Sequence, residues 1–333
     1  MTTSKTLASF ASTCTNMTMP MIGLGTMSLN GPDIVGPAIQ SAISLGYKRI
    51  DCAPVYFNEE HIGDALQNEF NKGSIKREGL FLTSKLASPF HKREHVEPAL
   101  RKTLSDLRVD YLDLFLIHWP VAFHPVPIDF SMRGWADESA DDSDGGKNID
   151  PSVTVKETWT AMEDLVEKGL VRNIGVSNFP VALLHELMAG GKIKPAVNQV
   201  EIHPYLQQQK LIDYCKARGV HVQAYSPMGT SGYKEPDEPS VLNDPVLSEI
   251  AKKRGISVAQ LCLAWSMQRG CSVVAKSASP KRQEENIMVE KGWPDQQSQL
   301  SGEEMKRIAE LDRGYRFFRP EDWWGSMAMA VFD

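Results

Sequence analysis

Short and nearly continuous apolar runs alternate with longer amphipathic stretches along most of the chain. Strands of a parallel sheet that is covered by helices are apolar on both faces, and these runs fit that type. Eight repeats of strand and helix predict an α/β fold, a (β/α)8 TIM barrel, although alternation by itself fits an open doubly wound sheet as the runner-up. The predicted strands are Met21–Thr26, Arg49–Ala53, Leu80–Lys85, Leu112–His118, Val171–Ser177, Ala196–Glu201, Val220–Tyr225 and Cys271–Lys276.

The stretches between the runs have the three-to-four-residue spacing of helices with one apolar face. In Val96–Leu107 the apolar positions are Val96, Leu100, Leu104 and Leu107. The segments Val155–Leu170, Leu206–Ala217 and Ser257–Met267 show similar patterns. These segments therefore predict helices of the outer layer.

Three segments fall outside the repeat. Leu7–Met19 precedes the first strand and predicts a hairpin beneath the barrel. Phe123–Ser152 is a long loop, and its acidic stretch Ala136–Gly146 is expected to be mobile. The tail after Arg313 is rich in Tyr, Phe and Trp and is expected to pack over the barrel mouth. No internal repeat or linker is evident, so residues 1–333 are expected to form one domain.

Composition narrows the class of protein. The formal net charge is −6, which argues against nucleic acid as a partner. Dispersed charges suit a monomer or weak homodimer, and no apolar run is long enough to cross a membrane. The five cysteines form no C-x-x-C pair, and the start lacks a secretory pattern, so we expect reduced thiols and a cytoplasmic location. The histidines form no metal-ligand pattern, so no metal is expected.

Polar residues stand at the predicted carboxyl ends of three consecutive strands, on the face where such barrels carry their active sites. Asp51 ends the second strand, Lys85 the third and His118 the fourth, and Tyr56 follows Asp51 by five residues. Taken singly, each is more often a cap, a packing residue or a solvated side chain. Their joint placement on neighbouring strand ends favours a shared chemical role.

The four residue types suit the reduction of a carbonyl, which needs hydride at carbon and a proton at oxygen. Phenol is a weak acid near neutral pH, with a reference pKa of about 10. A cation such as Lys85 favours the phenolate of Tyr56, and Asp51 would pair with that lysine. A neutral His118 would orient and polarise the carbonyl oxygen.

The same residues, in their local context, resemble the catalytic tetrad of the aldo-keto reductases. The resemblance runs from about Met19 to the end of the chain and includes M-P-M-I-G-L-G-T, D-C-A-P-V-Y-F-N-E, L-I-H-W-P, G-V-S-N-F and A-Y-S-P-M-G. The segment Lys194–Leu211 is especially similar to the aldose and xylose reductase branch. This likeness implies Tyr56 as proton donor, Lys85 and Asp51 as the pair that tunes it, and His118 as the orienting group.

The resemblance also implies an NADPH site, with NADH as a weaker alternative. Ser177, Asn178 and Gln199 match the family positions that bind the carboxamide, and Tyr225 matches the ring that stacks on nicotinamide. Each of these, taken alone, has an ordinary structural interpretation. The remaining matches are Gly25 and Thr26 near the ribose, Ser226 beside Tyr225, and Lys276, Ser277, Ser279, Arg282, Glu285 and Asn286 near the adenosine and its 2′-phosphate.

The expected substrate is a small carbonyl compound, held by apolar walls at Met27, Trp119 and Phe123. Met27 and Pro54 depart from residues common in the family, which leaves the substrate range open. Two other functions remain. One is a polyol or alcohol dehydrogenase that runs in the reverse direction with the same residues. The other is a non-catalytic binding or structural subunit, because a fold does not by itself fix function.

Overall fold

A computed structural model describes residues 7–11, 16–128, 149–229, 238–292, 299–320 and 331–332. Eight parallel strands form a closed barrel in the order β10-β3-β4-β5-β6-β7-β8-β9. Their bounds are β3 Ile22–Gly25, β4 Arg49–Asp51, β5 Phe81–Leu86, β6 Leu114–Ile117, β7 Ile174–Ser177, β8 Val197–Glu201, β9 His221–Tyr225 and β10 Ser272–Lys276.

Closure of the sheet depends on β10, which pairs with both β9 and β3. Lys276 lies opposite Gly25 on one side, and Val274 lies opposite Tyr225 on the other. An open doubly wound sheet would leave two edge strands at this point. The predicted TIM barrel is therefore confirmed, and all eight predicted strands have a counterpart in it.

Helices surround the barrel, and buried apolar side chains fill the space between the two layers. Observed and predicted ends differ by a few residues. The helix predicted over Val155–Leu170 ends at Glu167, because Gly169 takes a left-handed φ of 70°. The helices are α1 Pro32–Leu45, α2 Glu59–Asn71, α3 Arg93–Leu107, α4 Val155–Glu167, α5 Val181–Gly190, α6 Gln209–Arg218, α7 Pro245–Arg254, α8 Val258–Gln268, α9 Pro280–Lys291 and α10 Gly302–Ala309.

The predicted amino-terminal hairpin is present as β1 Leu7–Ala11 and β2 Asn16–Pro20, which pair antiparallel. Met17 and Met19 of β2 are buried in one cluster with Leu114 and Val197. Because those two residues begin β6 and β8, the hairpin closes the amino end of the barrel. The opposite, carboxyl end stays available for a site.

Several expectations fall outside the described residues, namely those for Ala136–Gly146, Cys14, Trp323 and Trp324. The four described cysteines are free and buried. In the described ranges, no helix combines the length and the apolar character that a membrane crossing needs. The expectation of one domain stays a prediction.

Candidate functional site

The four residues predicted to carry the chemistry meet at the carboxyl end of the barrel. Asp51 ends β4, Lys85 lies near the end of β5, and His118 directly follows β6. Tyr56 ends a short 3-10 turn, Pro54–Tyr56, that follows β4. The Lys85 Nζ forms an ion pair with Asp51 and donates to the carbonyl of Cys52, 2.8 Å away, and to the Tyr56 hydroxyl, 3.4 Å away.

Burial sets the protonation of this cluster. Burial raises the pKa of Tyr56 above its ordinary value, and the Lys85 cation opposes that rise without cancelling it. Burial lowers the pKa of Lys85, but the Asp51 carboxylate and Tyr56 outweigh it and raise that pKa above its usual range. Lys85 therefore stays charged, and the phenol of Tyr56 keeps its proton. The sequence indicates the effect of the lysine on Tyr56, whereas burial, which has the larger effect on the pKa of Tyr56, becomes evident only in the fold.

His118 stands beside Tyr56 as a neutral imidazole. The two ring centres are 6.0 Å apart and the rings meet edge to face. Burial, together with the charge of Lys85, holds the pKa of His118 well below its usual range. A neutral imidazole at this position has the hydrogen-bonding capacity to orient a carbonyl oxygen.

Two glutamine amides fix the Asp51 carboxylate from the barrel interior. Gln199 Nε2 donates to Asp51 Oδ2 at 2.7 Å, and Gln223 Nε2 donates to the same oxygen at 3.2 Å. Gln199 is one of the predicted cofactor contacts, whereas Gln223 is not among the residues predicted from the sequence. The signal for Gln223 was a polar residue in the middle of β9, two positions before Tyr225 and so on the same face of the strand.

A hydrogen-bonded row of polar groups extends from this cluster across the next strands. Ser177 Oγ donates to the carbonyl of Gln199 at 2.8 Å, and Asn178 Nδ2 donates to the carbonyl of His118 at 2.9 Å. The Tyr225 hydroxyl donates to Asn178 Oδ1 at 2.9 Å. Asn178 and Ser226 have left-handed φ values of 64° and 47°, a backbone conformation found often at functional sites.

The loop after β3 is tied to the same centre. The Thr26 hydroxyl donates to the carbonyl of Asp51 at 2.8 Å. Asn58, which sequence reasoning missed, donates both hydrogens of its buried amide, to the carbonyls of Thr26 at 2.8 Å and Leu29 at 2.9 Å. The loop that contains Met27 is therefore fixed relative to Asp51 and Tyr56.

A second polar region begins at the end of β10. Lys276 lies opposite Gly25 in the barrel register, and Ser279 caps α9 by accepting from the backbone N–H of Arg282. Lys276 and Arg282 are exposed, and within the described part of the chain neither has a carboxylate at ion-pair distance. Two such cations beside a capped helix start suit an anionic group such as a phosphate. Nearby, Ser277 and Asn286 are buried and Glu285 is half-buried.

The predicted apolar walls lie at the rim of the carboxyl end. Trp119 stacks on His118 with ring centres 6.3 Å apart, Met27 is half-buried, and Phe123 is buried. The described part of the tail reaches this rim at two points. Phe318 meets Tyr225 edge to face at 5.4 Å, and Phe332 lies 5.9 Å from Trp119.

Comparison with known proteins identifies relatives along nearly the whole chain. A model of the Aldo/keto reductase family matches residues 21–313. "Aldo-keto reductase family 1 member A1" of Bos taurus is 45% identical, with 92% of this chain and 90% of the relative covered. An aldo/keto reductase of Synechocystis is 42% identical, with coverages of 92% and 89%. The solved structure of the aldose reductase from Schistosoma japonicum superposes with a TM-score of 0.81 at 38% identity, covering 94% of this chain and 95% of that one.

Proposed function

Since the chain belongs to the aldo/keto reductase family, we propose that it is an NADPH-dependent reductase of aldehydes, aldoses or small ketones. The observation that carries the proposal is the buried contact of Lys85 with both Asp51 and the Tyr56 hydroxyl. A charged lysine held against a protonated phenol supplies an acid at one fixed point of the barrel mouth.

The proposed roles follow from this arrangement. Tyr56 gives its hydroxyl proton to the carbonyl oxygen of the substrate, and the Lys85 cation stabilises the phenolate that remains. Asp51 holds Lys85 in place, itself fixed by Gln199 and Gln223. Neutral His118 orients the oxygen.

The cofactor residues are proposed on the same geometry. Ser177, Asn178 and Gln199 would hold the carboxamide, and the half-buried ring of Tyr225 would support the nicotinamide face. Lys276 and Arg282 suit the 2′-phosphate of NADPH because both are exposed cations beside the capped start of α9. When bound, the reduced nicotinamide supplies the hydride that the carbonyl carbon receives.

Three further proposals accompany this function: a cytoplasmic location, a monomer or weak homodimer, and a substrate pocket bordered by Met27, Trp119 and Phe123. NADH is proposed as a weaker cofactor, and oxidation of alcohols as the reverse reaction of the same residues. The reverse reaction matters because a catalyst that lowers the barrier in one direction lowers it in the other by the same amount.

The test is to follow NADPH oxidation with a panel of sugars, hydroxyaldehydes, aromatic aldehydes and uronic acids, and NADP+ reduction with the matching alcohols. We expect turnover with at least one carbonyl class. Faster turnover of a polyol under physiological cofactor ratios would instead assign the dehydrogenase direction. NADPH binding with no turnover in either direction would support a non-catalytic binding subunit.

A further inference from the structure

Glu201, the last residue of β8, is a wholly buried carboxylate that accepts hydrogen bonds from two backbone N–H groups of the carboxyl-terminal tail. The N–H of Phe317 donates to Oε1 at 2.8 Å, and the N–H of Phe318 donates to Oε2 at 3.2 Å. We infer that Glu201 is a specificity-determining positioning residue, which fixes the tail over the mouth of the barrel. This inference rests on the proposed carbonyl reduction.

Groups from both the tail and the barrel surround the Glu201 carboxylate. Arg316 Nη1 lies 3.8 Å from Oε2, and His203 Nε2 lies 2.9 Å from Oε1. Hydrogen bonds to a carboxylate are shorter and stronger than those between neutral groups, and a buried charge without partners is costly. If the tail left its place, Glu201 would lose two backbone donors and one cation together. The docked tail is therefore favoured at this position.

The tail also makes packing contacts with the barrel through the side chain of Phe317. Phe317 packs against His203 with ring centres 5.0 Å apart. Its ring lies so close to Gly229 that a Cβ added there would approach Cε2 of Phe317 to 2.7 Å, and Gly229 has a left-handed φ of 69°. The backbone of the tail is thus held by Glu201 and its aromatic ring by the loop after β9.

Two aromatic residues at the mouth of the barrel, Tyr225 and Trp119, are contacted by the tail or by a ring that packs on it. Phe318 touches the ring of Tyr225 edge to face, with centres 5.4 Å apart. The guanidinium of Arg316 lies 3.7 Å from the ring centre of Phe332, and that ring lies 5.9 Å from Trp119. Release of the tail from Glu201 would move aromatic surface on two sides of the mouth. The kcat/KM of large substrates should therefore change more than that of small ones.

The experiment compares E201Q with E163Q. Glu163 is the matched control, because it is also buried and its Oε1 accepts two consecutive backbone N–H groups, those of Lys192 at 2.6 Å and Ile193 at 2.8 Å. The quantity measured is kcat/KM with NADPH for a bulky aromatic aldehyde, divided by kcat/KM for a small hydroxyaldehyde. We expect this ratio to change about tenfold in E201Q and less than about twofold in E163Q, since small displacements in a pocket have large effects.

Gly229→Ala displaces Phe317 while Glu201 stays intact, and it should change the ratio in the same direction as E201Q. A change of equal size in E201Q and E163Q, or no change in E201Q, would overturn the inference. If E201Q does not fold, the ratio in Gly229→Ala is compared with the ratio in E163Q instead. An unchanged ratio in Gly229→Ala, or an equal change in both variants, would then overturn the inference.

Hydrogen exchange in the wild-type protein separates this inference from the proposed function. The amides of Phe317 and Phe318 should be protected, because each donates to a buried carboxylate. Exchange of these amides at the rate of an unstructured peptide would overturn the inference that Glu201 fixes the tail, even in an active enzyme. Protected amides in a protein that reduces no carbonyl would support the role of Glu201 in fixing the tail and would refute the proposed reductase activity.

Discussion

Lys85 donates from Nζ to the Tyr56 hydroxyl across 3.4 Å, and the side chain of Lys85 has no solvent exposure. The lysine cannot relax into water, so its charge acts on the phenol and on Asp51. Burial and charge oppose each other at Tyr56, and burial dominates in raising its pKa. The phenol of Tyr56 therefore keeps its proton.

Tyr56→Phe keeps the ring and removes the hydroxyl. If Tyr56 is the acid, carbonyl reduction should fall by about 10²–10⁴-fold, which is the usual contribution of a general acid. NADPH affinity should change little, because the Tyr56 hydroxyl is not among the proposed cofactor contacts. Steady-state kinetics and cofactor titration measure the two effects separately, and near-normal turnover would remove Tyr56 from the mechanism.

Arg282→Ala should distinguish the two nicotinamide cofactors. Loss of a charge-assisted hydrogen bond should weaken NADPH binding by about 1.5–3 kcal/mol and leave NADH nearly unchanged. Lys281→Ala is the control, because Lys281 is a neighbouring exposed cation on α9 with no proposed phosphate contact. Paired titrations of NADPH and NADH against wild type and both variants measure these changes in cofactor binding. Equal losses for NADPH and NADH in Arg282→Ala would show that Arg282 does not bind the phosphate.

We also expect wild-type kcat/KM to favour NADPH over NADH by at least about tenfold, which corresponds to about 1.4 kcal/mol. The reason is the pair of exposed cations, Lys276 at the end of β10 and Arg282 in the first turn of α9. Initial rates at limiting concentrations of each cofactor measure the ratio. A preference for NADH would contradict the proposed phosphate site.

Removal of Phe317–Asp333 should change the ranking of carbonyl substrates more than it changes NADPH binding. The reason is that Phe318 and Phe332 contact Tyr225 and Trp119 at the rim of the mouth. The same substrate panel and a cofactor titration on the truncated protein, with its fold checked by circular dichroism, measure both. An unchanged ranking in a folded truncated protein would contradict the idea.

Stability should fall in mild acid because buried histidines resist protonation. Burial lowers the pKa of His91 and of His221 to about 3, whereas both titrate near 6.5 when unfolded. Below pH 6.5 the unfolded chain therefore binds protons that the folded chain excludes, and each such histidine costs up to about 1.4 kcal/mol per pH unit.

Urea unfolding at pH 7.5 and pH 5.0 measures this loss. His91→Gln should lose less stability than wild type between the two pH values, whereas His185→Gln should behave like wild type, because His185 is exposed. Equal pH dependence in all three proteins would rule out His91 as a source of acid sensitivity.

Local patterns along the chain were enough to predict the strands and the polar residues at their ends. The apolar runs are local patterns, and Asp51, Lys85 and His118 follow directly from where each run stops. Family resemblance then supplied Tyr56 and the proposed cofactor residues. Helix ends were less accurate. Helix α6, predicted to start at Leu206, starts at Gln209, because Leu206 exchanges backbone hydrogen bonds with His203 in a turn.

Contacts between distant parts of the chain could be found only in the folded protein. Closure needs β10 to pair with β3, across about 250 residues of sequence. The bond from Gln223 to Asp51 and the bonds from the tail to Glu201 likewise join segments that carry no shared local pattern. A sequence pattern reports which face of its own element a residue occupies. Which side chain it meets depends on how the elements pack, and that follows from the closed barrel.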